Sequence, residues 1–138
     1  GHLIVDHAFR NRIDADNVED VSYFGFGGLD VSGSGDAVAV NDLSTTDVVR
    51  FTPNFGATGK GSIAPNNSSD TLTVRGTDRR DRIVVKGSGS DVTVNGLTPQ
   101  VTPVFLAPDD FLNIDTLKGR DIVDSSALAP GTVQLIVR

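Results

Sequence analysis

LNIDTLKGRDIVD, residues 112–124, carries the repeating element of this chain. Two short aliphatic runs, Leu112-x-Ile114 and Ile122-Val123, flank a polar turn that holds one glycine, Gly119, and Asp121 opens the second run. The same order returns in LTVRGTDRRDRIVV, residues 72–85, and in LDVSGSGDAVAV, residues 29–40. Each reads Leu, any residue, an aliphatic, a turn, Asp, then aliphatics. Alternation with period two puts every second side chain on one face, as in a half-buried strand. Leu29, Leu72 and Leu112 lie 43 and 40 residues apart. A recurrence of about forty residues marks a repeat architecture, whose units cannot bury their own faces and must stack on one another.

Further aliphatic bursts extend the pattern: Val48–Phe51, Val92–Val94, Val101–Phe105 and Val133–Val137. Turn-forming stretches separate them, among them GSG at 33–35, NFG at 54–56, APNN at 64–67, GSGS at 87–90, NG at 95–96 and APG at 129–131. Short strands at this spacing predict an all-β fold. No segment shows an apolar stripe at helical spacing over a helix's length. Two arrangements fit. In a β-solenoid, similar to a parallel β-helix, coils stack in parallel and the aspartates fall in rows. In a β-sandwich, antiparallel strands alternate between two sheets. The repeat favours the solenoid. Asn95-Gly96 is a hairpin signal, but Pro99 and Pro103 follow in the would-be partner strand and count against one. The expected organisation is a single domain over residues 1–138, with 1–28 as an N-terminal cap or lead-in and repeats at 29–71, 72–111 and 112–138. Gly1-His2 reads as a tag remnant and the last strand has nothing after it, so the chain reads as a piece of a longer protein.

Composition narrows the function. Over 138 residues, Lys plus Arg is 12 and Asp plus Glu is 18, a net charge of −6. Binding to a nucleic-acid backbone needs clustered cations, so no nucleic-acid partner is expected. The absence of cysteine removes disulfides, thiolate catalysis and zinc-thiolate sites together. The longest apolar run is far too short for a membrane span, and no signal peptide is visible.

DRIVV at 81–85, GSG at 87–89, VTVNGL at 92–97 and DFLNIDTLKGRDIVDSSALAPGTVQLIV at 110–137 together form a long pattern. Over residues 70–137 the chain resembles the β-strand repeat regions of large secreted bacterial proteins of the RTX, or hemolysin-type calcium-binding, group. That resemblance implies a secreted or cell-surface location. In that group such stretches often adjoin the nonapeptide G-G-x-G-x-D-x-U-x, whose glycines turn the backbone tightly and whose aspartates help supply calcium's six to eight oxygens. This sequence departs from the nonapeptide. Before Asp81 two glycine positions hold Thr77 and Arg79; before Asp121 only Gly119 is kept; GSGSD at 87–91 sets its aliphatics at the wrong offset; GSGD at 33–36 is one residue short. The resemblance therefore implies no required cofactor, with Ca²⁺ as the one ion the pattern admits. Asp36 and Asp91 lack an adjacent cation and are the better metal candidates. Asp81 and Asp121 are weaker, because Arg79, Arg80 and Arg82, and Lys118 and Arg120, flank them and could neutralise them in place of a metal.

Other features carry less. His2 and His7 have no third nitrogen or thiolate beside them. Asp14, Asp16, Glu19 and Asp20 lack the EF-hand spacing and its glycine. Asp109 and Asp110 are adjacent, so on a strand they point apart rather than converging as a glycosidase pair must. Phe24 and Phe26, with Tyr23, read as core or a coil cap, with a sugar-stacking patch as the sharper alternative. No Gly-x-Ser-x-Gly elbow occurs, so no catalytic residue is assigned. The expected function is a non-catalytic structural or spacer module of an RTX-like or adhesin-like protein. Its expected partners are neighbouring repeats of its own chain, or a second copy end to end. The alternatives are a calcium-binding folding module, and a carbohydrate-active domain, polysaccharide-binding or associated with a lyase or epimerase, in which Asp81, Asp121, Arg80 and Arg120 line a groove.

Overall fold

The computed structural model describes residues 20–24, 35–56 and 68–138, the first group for its backbone only. The described residues form ten strands and no helix: β1 (Asp20–Phe24), β2 (Ala37–Val40), β3 (Arg50–Asn54), β4 (Thr71–Arg75), β5 (Arg82–Ser88), β6 (Asp91–Asn95), β7 (Gln100–Val101), β8 (Phe111–Asp115), β9 (Ile122–Leu128) and β10 (Gln134–Val137). The aliphatic bursts nucleate these strands, and the Gly-, Pro- and Asn-rich stretches between them are the connections. The burst at Leu29–Val31, the turn at 64–67, both histidines, Phe26 and the acidic residues 14, 16 and 19 lie outside the described residues. The strand β1, over an acidic-to-aromatic stretch, was not expected.

The strands make two sheets. The smaller runs in the order β10-β8-β4-β2, and the larger in the order β1-β3-β7-β6-β5-β9. Every pairing in the four-stranded sheet is parallel, with Val38 beside Leu72, Leu72 beside Leu112, and Leu112 beside Leu135. Parallel neighbours need a long crossover. Here each crossover travels through the other sheet: β2 to β4 by way of β3, β4 to β8 by way of β5, β6 and β7, and β8 to β10 by way of β9. In the larger sheet β1–β3, β3–β7 and β5–β9 are parallel, whereas β5–β6 and β6–β7 are antiparallel.

Two readings of the sequence change here. The expected alignment set Leu29 against Leu72, but the register sets Val38 against Leu72, so Asp36 belongs in phase with Asp70 rather than with Asp81. The reversal at Asn95-Gly96 also occurs: β6 and β7 are antiparallel, with Val94 opposite Val101. The prolines do not prevent it, because β7 is only two residues long and both Pro99 and Pro103 fall outside it.

Alternation delivers one core. Val38, Val40, Leu72, Val74, Leu112 and Ile114 point inward from the smaller sheet. Phe51, Ile83, Val85, Val92, Val94 and Val101 do so from the larger one, and Phe55 and Leu106 fill between. Each fully buried aliphatic of this size is worth about 1.5–3 kcal/mol. The last layer is less covered: Ile114 is fully buried, whereas its register partner Val137 is 50% exposed.

Candidate functional site

Five aspartates stand two residues before an inward-facing aliphatic, at Asp36, Asp70, Asp81, Asp110 and Asp121. In each, the aliphatic two residues on shares the aspartate's parity, so the carboxylate is directed toward the inside of the chain's turn rather than out to water. Asp36, Asp70 and Asp110 precede β2, β4 and β8 and form one row. The N–H of Asp36 donates to Oδ1 of Asp70 at 2.7 Å, and the N–H of Asp70 donates to Oδ1 of Asp110 at 2.8 Å. The carbonyls of the same residues accept from the opposite side: Thr71 N–H to Asp36 at 2.8 Å, Phe111 N–H to Asp70 at 2.8 Å and Gln134 N–H to Asp110 at 2.9 Å. Each aspartate thus clamps the backbone of the neighbouring strand at the point where parallel pairing begins. In the last strand pair Val133 takes the corresponding place, and the row stops.

Asp110 also accepts from the N–H of Ala107 at 2.6 Å. It is almost wholly buried. Burial pushes its carboxyl above the usual carboxylate value, with a small contribution from Asp109, and outweighs the two N–H donors that pull the other way.

Asp81 and Asp121 form a second row where the chain enters β5 and β9. The N–H of Asp81 donates to Oδ1 of Asp121 at 2.8 Å, and the carbonyl of Asp81 accepts from Ile122 N–H at 3.0 Å. The Asp81 carboxylate folds back on its own turn, taking the Thr77 N–H at 2.7 Å and the Thr77 hydroxyl at 2.9 Å. Gly119 makes room for this stack. A Cβ there would sit 2.3 Å from the carbonyl of Arg79 and 2.6 Å from the carboxylate of Asp121, on a backbone with φ of +140°.

The flanking cations do not neutralise these carboxylates. Neither Asp81 nor Asp121 forms an ion pair with a described residue; backbone N–H groups and a threonine hydroxyl take that part. The cations stand outside instead. Arg79, Arg80, Lys118 and Arg120 are exposed on two stacked turns, and among the described residues only Lys118 of these four finds an ion-pair partner, Asp78 at 3.8 Å. Arg82 lies close to Asp124, whose carboxyl is held below its usual range chiefly by the Ser126 hydroxyl and N–H and secondarily by Arg82. Arg75, by contrast, is engaged by Asp115 at 3.8 Å and by Asn41 at 3.0 Å.

The four metal candidates do not gather at one place: Asp81 and Asp121 are neighbours, and Asp36 and Asp91 stand apart from them and from each other. Asp36 lies in the first row and Asp81 and Asp121 in the second. Asp91 is exposed at the start of β6, beside the Gly89-Ser90 turn of the β5–β6 hairpin. No group of three or more His, Cys, Asp or Glu side chains placed to hold a metal ion occurs among the described residues. Asp109 and Asp110 diverge, the first exposed and the second buried. An open groove of about 570 Å³ between Lys86, Ser88, Thr93, Ser126, Leu128 and Pro130 contains no carboxylate. Sequence reasoning missed Asp70 and Asp110, although the signal was present: DAVAV, DTLTV and DFLNI share Asp-x-aliphatic-x-aliphatic at 36, 70 and 110.

No family model matches the chain, and no curated protein or solved structure does either.

Proposed function

We propose that this protein is a non-catalytic structural module: a β-solenoid whose two sheets are walls of the same stacked coils, acting as a rigid spacer. The parallel register of the four-stranded sheet, repeated at steps of 34 and 40 residues along the first aspartate row, supports the coil reading. The motifs of residues 70–137 support a place in a large secreted or cell-surface protein of RTX-like or adhesin-like kind. No described helix is long and apolar enough to cross a membrane.

The observation that carries the metal-free form of this reading is the use to which the carboxylates are put. Calcium needs six to eight oxygens converging on one point. Here Asp70, Asp110, Asp81 and Asp121 are spent on backbone N–H groups. The carbohydrate-active alternative requires a carboxylate and a base converging in one groove. Asp81 is buried against Thr77, while Arg80 and Arg120 face outward from the same turns.

Thermal unfolding followed by circular dichroism, in millimolar calcium and then in chelator, tests the proposal. The expected outcome is one β spectrum and one midpoint in both. A gain of structure or a rise of many degrees with calcium would transfer the reading to a metal-dependent folding module, since ligand binding to the native state alone must raise the midpoint.

A further inference from the structure

We infer that the two stacked turns at residues 77–82 and 117–121 form a docking surface for a linear anionic polysaccharide, carboxylated or sulfated. The chain as a whole carries −6, which makes a local excess of cations at one corner notable. Asp81 and Asp121 pair directly with none of these cations, because their carboxylates are turned inward onto backbone N–H groups and Thr77. Asp78 is the one exposed carboxylate in these two turns, and it already pairs with Lys118. Arg79, Arg80 and Arg120 are left exposed with no ion-pair partner among the described residues.

Their spacing is set by the fold. Arg82 lies beside Ile122 in the parallel register, and the bond from Asp81 to Asp121 carries that register back into the turn. Arg80 therefore stands beside Arg120, one strand spacing of about 4.8 Å away. Guanidinium groups are planar forks that match carboxylate and sulfate oxygens two at a time. Two of them side by side on stacked turns fit a polymer with regularly placed anions. One fact turns the choice away from a single-stranded nucleic acid: no aromatic side chain lies in these turns for a base to stack on.

The experiment is titration of the whole chain with heparin and with polygalacturonate at low and moderate salt, using a DNA duplex as competitor. The wild type is expected to bind both polysaccharides, with affinity falling steeply as salt rises through counterion release. The R80Q/R120Q variant should bind at least about tenfold more weakly, because both removed groups make charge-assisted contacts. R50Q/K86Q removes equal charge on β3 and on the body of β5, away from the two turns, and should stay within about threefold of the wild type. Circular dichroism of R80Q/R120Q checks its fold, and R79Q/R80Q gives a second reading of the same corner. No saturable polysaccharide binding, equal losses in the corner and control variants, or tighter binding of the duplex would each overturn the inference.

Discussion

Asp110 concentrates the cost and the benefit of the aspartate rows in one residue. Its two carboxylate oxygens hold the N–H groups of Asp70 and Ala107, all within the buried interior. Asp110→Ala strands both donors and is expected to lower the unfolding free energy by about 2–4 kcal/mol, read from urea denaturation. Its titration has a definite sign. Burial raises the folded pKa above 3.8, so the native chain keeps this proton at a pH where the unfolded chain has released it. The stabilisation is complete below the unfolded value and is lost as pH rises through the folded one. Asp110→Asn cannot titrate. Urea melts of both proteins across that window should show the wild type losing stability relative to D110N as pH increases; a gap that widens in the other direction would contradict the assignment. At the opposite extreme stands Leu117, which is exposed and holds φ of 59°. An aliphatic side chain in that left-handed region is strained, while asparagine tolerates it. L117N should therefore raise stability by about 0.5–1 kcal/mol, checked by the same denaturation.

At the scale of elements, a strand's place in the stack decides what its side chains are worth. Leu112 in β8 is sealed between β4 and β10, whereas its register partner Leu135 in β10 is only partly buried. L112A should cost about 3–5 kcal/mol and L135A about 2 kcal/mol or less, since the transfer and cavity contributions both scale with enclosure. The positions of β2, β4, β5, β6 and β8 were legible because Val38-x-Val40, Leu72-x-Val74 and their counterparts alternate between inward and outward faces. The phase of the first repeat was not legible. Leu29 and Val38 both begin an aliphatic pair, and periodicity alone does not say which of them pairs with Leu72. The aspartate does, because its carboxylate must reach the N–H of the preceding aspartate, and Asp36 is the one that stands two residues before Val38. Nor did the sequence reveal that Arg79, Arg80 and Arg120 would have no ion-pair partner among the described residues. That depends on Thr77 reaching Asp81 first, a contact between side chain and backbone that composition does not encode.

For the molecule as a whole, the two sheets share their apolar residues in one core, so neither sheet is complete without the other. The aspartate rows lie at the two bends where the chain passes between sheets, and the cations gather outside the second bend. At that second bend charge is sorted by depth: the Asp81 and Asp121 carboxylates turn inward against backbone donors, and the Arg79, Arg80 and Arg120 guanidinium groups stand outward.

The pairing scheme also sets how the chain must find its structure. Parallel partners in these sheets are separated by 23 to 50 residues along the chain. Each such pairing closes a long loop before any contact compensates for the lost freedom, and chains dominated by such closures fold in milliseconds to seconds rather than microseconds. The antiparallel pairs β5–β6 and β6–β7 are the exceptions, and β5–β6 is the tighter, joined through Gly89 and Ser90 alone. It is the piece that assembles with the least loss of chain entropy, and β9 can then add to its β5 edge. Gly89 has φ of 59° with open space around it, so G89A strains the turn by about 1 kcal/mol without a clash. In stopped-flow refolding that loss should appear mainly as slower folding, with the unfolding rate nearly unchanged, as for a site already structured in the transition state.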